Sequence, residues 1–156
     1  MGENSLVLRI ETVKYDAPDA VTLIEEVQQE YEHRYGGRDN TPVDPADFTP
    51  PRGLFLIGYL GADGVACGGW RSHGTDAELK RMYVRQNARR GGLATELLVE
   101  LERTAAAAGH QRMILETGSR QPEAVAMYRS AGYDDIPAFG FYARAPLSIH
   151  LAKPLG

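Results

Sequence analysis

The chain has 156 residues, 43% hydrophobic and 24% charged, with a formal net charge of −4 and a pI near 5.6. A chain of this length buries roughly two-thirds of its unfolded surface, enough for one domain over residues 1–156 with its own core. The acidic balance argues against non-specific nucleic-acid binding, and no apolar run reaches the roughly 18 residues of a membrane span.

The N-terminal residues Met1 to Ser5 carry neither the basic region nor the apolar run of a secretion signal. Cys67 is the only cysteine, so no disulfide can form within the chain. Its neighbours Ala66, Gly68 and Gly69 read as packed strand, which makes it a core thiol in a reducing compartment. Together these features predict a cytoplasmic protein with no membrane partner.

The first strand is predicted over Leu6 to Val13. Asp16 and Pro18 follow where a helix cap and first turn belong, and Leu23, Val27 and Tyr31 recur at i, i+4 spacing to about Tyr35. Glu25, Glu26, Gln29 and Glu32 lie on the other face and read as solvated. Residues 36–53 form a connection rich in Gly, Pro and Asp, with one short helical turn around Pro45 to Phe48. A connection this long is often functional, and a flap on the substrate side is one reading, an inert surface loop the other. Leu54 to Leu60 is a near-continuous apolar strand. Gly61-Ala62-Asp63-Gly64 turns it into a second strand from Val65 to about Arg71, and Glu78 to Val84 is a third antiparallel neighbour.

After this hairpin region the sign of the charge changes. Between Glu78 and Glu96 there is no acid, while Lys80, Arg81, Arg85, Arg89 and Arg90 are basic. The same stretch holds Gly91 and Gly92, whose backbone lets an anion come close, immediately before a helix N-terminus with its free amides and positive dipole end. Strand, basic glycine turn and helix together read as a diphosphate grip. Leu93, Leu97, Leu101 and Ala105 recur every four residues along the helix, and Gly109 ends it. Arg112 to Thr117 is the next strand. A short helix follows, with Pro122 near its start and Gly132 at its end. Tyr133 opens a sixth strand, Ile136 to Tyr142 is an aromatic loop, and Leu147 to Leu151 closes the chain. The order is β-α-loop-β-β-β-α-β-α-β-β, an α/β chain with one mixed, mostly antiparallel sheet of six to seven strands and helices on both faces.

Competing chemistries find little support. There is no G-x-x-x-x-G-K-S/T and no G-x-S-x-G, and His33, His73, His110 and His150 lack metal-ligand spacing. No metal site is predicted.

Arg89-x-x-Gly92-x-Ala94 matches the Q/R-x-x-G-x-G/A signature of the GNAT superfamily, the N-acetyltransferases that use acetyl-CoA. Met127-Tyr128-Arg129-Ser130-Ala131-Gly132-Tyr133 resembles the family's L-Y-x-x-x-G-F/Y segment, and the element order resembles the GNAT order over nearly the whole chain. Leu115-Glu116-Thr117-Gly118, Gln121-Pro122-Glu123-Ala124 and Phe139-Gly140 resemble a bacterial subgroup without an assigned substrate. Many members place Asn where this chain has Gln121, so the side-chain contact to the CoA arm comes from a longer stem.

The resemblance implies that the backbone of Met82, Tyr83 and Val84 pairs with the pantetheine arm. It implies a pyrophosphate held by the stretch Arg89, Arg90, Gly91, Gly92, Leu93, Ala94 and Thr95. Tyr128 is the expected general acid for the departing thiolate. Glu78, eleven positions before Arg89, is the expected base, with Glu116 as the second candidate or as a charge partner for the amine. Tyr35, Phe139 and Tyr142 fall in the segments (30–53 and 136–145) where acceptor contacts are expected. The acceptor is a small-molecule primary amine, with a protein lysine or N-terminus as the alternative in that role. A non-catalytic acyl-CoA-binding module is the reading from outside enzymology, and family members are often homodimers.

Overall fold

The central apolar strand explains the layering. Strand β2 (Gly53–Leu60) lies between β1 (Leu8–Thr12) and β3 (Asp63–His73) and is buried along almost its whole length. Leu54 and Leu56 enter one core, while Phe55 and Ile57 enter the other, so a strand covered on both faces needs no polar alternation. This computed structural model describes residues 7–89 and 91–156. Leu6, the expected start of the first strand, lies outside them.

The sheet continues through β4 (Asp76–Val84), β5 (Arg112–Gly118), β6 (Asp134–Asp135) and β7 (Ser148–Pro154), in the order β1-β2-β3-β4-β5-β7-β6. Every neighbouring pair is antiparallel except β4 and β5. Helix α1 (Pro18–Tyr35) covers one face, where Ala20 and Leu23 pack with Phe55, Ile57 and Cys67. Helix α2 (Leu93–Ala107) covers the other with Leu93, Leu97, Leu98, Leu101 and Ala105. Tyr128 of helix α3 (Pro122–Ser130) joins that second core. Mixed sheet and two helical layers agree with the sequence reading.

One local expectation is corrected. The cap of α1 is Ala17, which makes no side-chain capping bond, and Asp16 does not take that role. The connection after α1 is pinned to the core: Asp44 and Asp47 form a capping box around the turn Pro45–Phe48, and Phe48 stacks on Tyr15 with ring centroids 4.7 Å apart.

The feature that makes a site is an incomplete pairing. β4 and β5 pair in parallel at Asp76↔Arg112, Ala77↔Met113 and Glu78↔Ile114, and no further pairs follow. Beyond Glu78 the strands separate, leaving backbone groups of β4 on that side without a strand partner. Leu101 is fully buried beneath this region. Leu101→Ala is expected to cost about 2–5 kcal/mol, read as a lower midpoint in urea unfolding with an unchanged slope.

Candidate active site

A cavity of about 360 Å³ opens where β4 and β5 separate. Its walls come from α1 (Tyr31, Tyr35), the following loop, β4 from Leu79 to Met82, β5 from Leu115 to Gly118, Tyr128 of α3, and the segment before β7. The loops bracketing it are tied together, because the Asn40 peptide N–H donates to the Tyr142 hydroxyl at 2.7 Å.

The floor is built by a bulge. Cys67 pairs with Tyr83 and Gly69 with Lys80, so the single residue Gly68 faces both Arg81 and Met82. Arg81 takes φ +60°, the left-handed region that a non-glycine residue enters at a cost of roughly 1–3 kcal/mol. Strict alternation would send Lys80 and Arg81 to opposite faces. The bulge turns both toward α1, where each donates to Asp39 Oδ2, Lys80 at 3.1 Å. Asp39 Oδ1 accepts from the Thr41 N–H and O–H at 3.0 and 2.6 Å. Burial would raise the Asp39 carboxyl, but Lys80 and Arg81 hold it well below the usual carboxylate range.

Glu116 faces the same cavity. Burial pushes its carboxyl up to about 7, with Lys80 opposing and Asp39 assisting. Its hydrogen bond comes from the Ser148 hydroxyl at 3.3 Å, and it makes no salt bridge among the described residues. Tyr128 also lines the cavity, buried and edge-on to Tyr133 at 5.7 Å. Burial, with Glu116 nearby, raises its phenol far above the ordinary value and keeps it protonated. Tyr35 donates to Gln121 Oε1 at 3.2 Å, and its hydroxyl occupies the space a Cβ at Gly118 would need. That close approach requires glycine at 118.

Past Met82 the chain leads to the glycine turn. Gly91 and Gly92 have φ of +120° and +77°, and a Cβ at either would meet open space. Glu96 N–H is bonded to Gly92 O, which leaves the amides of Leu93, Ala94 and Thr95 ahead of the first intrahelical bond. Val84 O accepts from Arg89 Nε at 2.8 Å, and the Tyr83 side chain turns away to Glu26.

The basic run is not the free cationic grip that its sequence suggests. Arg85 pairs with Glu26 at 2.7 Å and Arg89 with Glu30 at 2.5 Å, while Lys80 and Arg81 share Asp39. Arg90 lies outside the described residues. The acids of α1 expected to be solvated are therefore partners: Glu26 as above, and Glu25 and Glu32 on Arg38. Residues distant in sequence but adjacent across the sheet cancel a charge excess that sequence alone displays.

Two candidate residues sit elsewhere. Glu78 is bonded to Arg71 at 3.1 Å and lines a smaller cavity with Asp47, Arg52 and His73, so its carboxylate is occupied where the larger cavity would need it free. Phe139 does not line the larger cavity. It lies edge-on to His73 at 5.7 Å and to His150 at 5.2 Å, because the aromatic loop folds back over β7. The structure thus brings together Tyr128, Glu116, Tyr35, Tyr142, Gln121 and Met82, and leaves Glu78 and Phe139 outside.

Comparison with known proteins agrees with this geometry. The profile of the Acetyltransferase (GNAT) family matches residues 21–133. The chain belongs to the GNAT family of acetyltransferases. It is 36% identical over 149 residues to an IAA acetyltransferase of Azospirillum brasilense, covering 92% of this chain and 97% of that protein. A crystal structure from Klebsiella pneumoniae, described as an acyl-CoA N-acyltransferase, superposes with TM-score 0.84 at 26% identity, covering 98% of this chain and 100% of that one. An N-acetyltransferase of Thermoplasma acidophilum in complex with coenzyme A shares the fold (TM-score 0.72, 14% identity, 96% and 99% covered). The GNAT family uses acetyl-CoA.

Sequence reading missed the Asp39 cluster, since Asp39 sits in a loop without a motif and nothing in a strand pattern announces a bulge. Glu116 yields a stability test. Its carboxyl titrates near 7 when folded against an ordinary 4.5, so the folded state holds the proton more tightly. That contribution is complete below about pH 4.5 and is lost as pH rises through 7. Glu116→Gln is therefore expected to melt above the wild type at pH 8, the gap closing by pH 4, in thermal scans by circular dichroism.

Proposed function

We propose that this GNAT chain is a single N-acetyltransferase domain that moves the acetyl group of acetyl-CoA directly to a primary amine of a small molecule. The observation that carries this reading is that Glu116 and Tyr128 line one cavity at the β4–β5 separation. The tie between Asn40 and Tyr142 over that cavity favours a small acceptor over a protein chain.

Acetyl-CoA would lay its pantetheine arm along the unpaired side of β4 from Met82 to Val84, as an added strand. The diphosphate would rest on the amides of Leu93, Ala94 and Thr95 and on the open glycine turn. With Arg85 and Arg89 already paired to acids, backbone amides and the helix dipole carry most of that contact. No metal is invoked.

A base whose pKa is near the working pH is the most effective, and Glu116 meets that condition, while the Glu78 carboxylate is occupied by Arg71. Glu116 takes the proton of the ammonium, the free amine nitrogen attacks the acetyl carbonyl carbon, and the C–S bond breaks. The negative charge moves to sulfur. Tyr128 donates a hydrogen bond and then a proton to that sulfur, and the acylated nitrogen gives up its second proton, which restores the phenol. Its high pKa keeps the phenol protonated throughout the working range, so the donor is always present. Holding both reactants in the cavity supplies the remaining advantage by orientation.

Acetyl-CoA-dependent thiol release over a panel of polyamines, amino acids, aminoglycosides and peptides tests the reading. Turnover of a small amine is expected, and silence across the panel would remove it. Tyr128→Phe is expected to lower kcat by roughly 10²–10⁴-fold while calorimetry reports unchanged CoA affinity. Full activity in that variant would end the role given to Tyr128. The wild-type kcat/KM is expected to rise with pH through about 7 and level off, a limb that Glu116→Gln loses.

A further inference from the structure

Two buried cations share one acid at the floor of the large cavity. Lys80 and Arg81 are 7% and 5% exposed, both donate to Asp39 Oδ2, and both line the cavity. Asp39 cancels one unit of charge. Its other oxygen is already held by Thr41, and neither cation has a second ion pair among the described residues. Lys80 also donates to Thr41 Oγ1. Arg81 donates through Nε to Tyr15 and through Nη1 to Asp39, which leaves Nη2 without a hydrogen bond among the described residues.

An uncompensated buried charge is among the most expensive things a fold can carry. Here the backbone is strained to create it, since φ +60° at Arg81 is what turns the second cation to the α1 face. Arg38, the third cation on the wall, is already occupied by Glu25 and Glu32. Glu116, the remaining acid of the lining, bonds only to Ser148 among the described residues and is only partly ionised at neutral pH. The excess is also not placed for the diphosphate, because the cavity wall ends at Met82 and includes neither the glycine turn nor the start of α2. The lining also presents the aromatic and apolar side chains of Tyr31, Tyr35, Tyr128, Leu79 and Leu115, beside the uncharged polar Asn40, Thr117, Gln121 and Ser148.

Building on the amine-acetylating reading above, we propose that the acceptor is an amino carboxylate, its carboxylate held by Lys80 and Arg81 and its amine directed to Glu116. The cations bind the carboxylate as charge-assisted donors, and the tyrosines pack against an apolar or aromatic side chain. Discrimination follows from what happens without the carboxylate. An amine lacking it leaves Lys80 and Arg81 desolvated and short of one counter-charge, a penalty that a polar site imposes on any analogue missing the matching group.

The test pairs each of the common amino acids with the amine that lacks its carboxylate (phenylalanine with 2-phenylethylamine, leucine with isoamylamine). Each is offered with acetyl-CoA, and thiol release is followed. The carboxylated member of a pair is expected to exceed its partner in kcat/KM by at least about tenfold. In Lys80→Gln that ratio is expected to narrow through KM, and Lys80→Arg to restore it. Equal or better turnover of the decarboxylated amines overturns the proposal and leaves acetyl transfer standing. So does turnover of a polyamine, aminoglycoside or peptide with none of the amino acids. No thiol release with any amine overturns the acetyltransferase reading along with it. If Lys80→Gln fails to fold, the paired amines on the wild-type protein still decide.

Discussion

The site depends on one parallel pairing in an otherwise antiparallel sheet. A parallel pair needs a crossover, and here the crossover is α2, which leaves the end of β4 and returns to the start of β5. The strands therefore run together at their N-terminal ends and part toward their C-terminal ends. Parting leaves β4 backbone groups free on one side, opens a cavity between the sheet's two helical layers, and sets the N-terminus of α2 just beyond the end of β4. Three pairs suffice to fix the geometry because β3 on one flank and β7 on the other hold both strands by long antiparallel ladders.

The second constraint is electrostatic. Lys80 and Arg81 share Asp39 under the cavity, and breaking a buried pair of this kind by removing one partner costs roughly 3–5 kcal/mol. The exposed pairs contribute far less: Arg85 with Glu26 and Arg89 with Glu30 keep about a third of each arginine open to water, and pairs of that kind give at most about 1 kcal/mol. Their effect is positional. They fasten α1 across β4 and the turn that follows it, while Arg34 is fastened to Glu123 and to the Arg120 carbonyl on the far side. Helix α1 is thus tied down on both sides of the cavity that its tyrosines line.

Much of this was legible in the sequence because it rests on local patterns. The apolar period of α2, the glycines at 91, 92, 109 and 132, and the doubly buried run of β2 each follow from short-range rules, and the observed elements match them closely. Tyr128 and the glycine turn carried a recognisable motif. The charges were not legible. Sequence showed an acid-free basic stretch and a separate acidic helix face, and only folding put Glu26 beside Arg85 and Glu30 beside Arg89. Glu78 and Glu116 were both plausible strand carboxylates. What separates them is Arg71, which approaches Glu78 across the β3–β4 pair, and no pattern in one strand reveals its neighbour's side chains.

The bulge at Arg81 links these two constraints. Without it, Arg81 would enter the apolar layer formed by Leu79, Met82 and α2, where a guanidinium has no partner. With it, the cation reaches Asp39, and the same one-residue offset keeps Met82 on the α2 side and Tyr83 on the α1 side. The separation of β4 from β5 begins immediately before this point, after the last pair at Glu78. Pairing with β5 would compete with the irregular backbone, and a bulge next to a free edge meets no such competition. Strand separation and buried charge are thus two consequences of one irregularity in β4, which is why the cavity and its cationic floor occur at the same place.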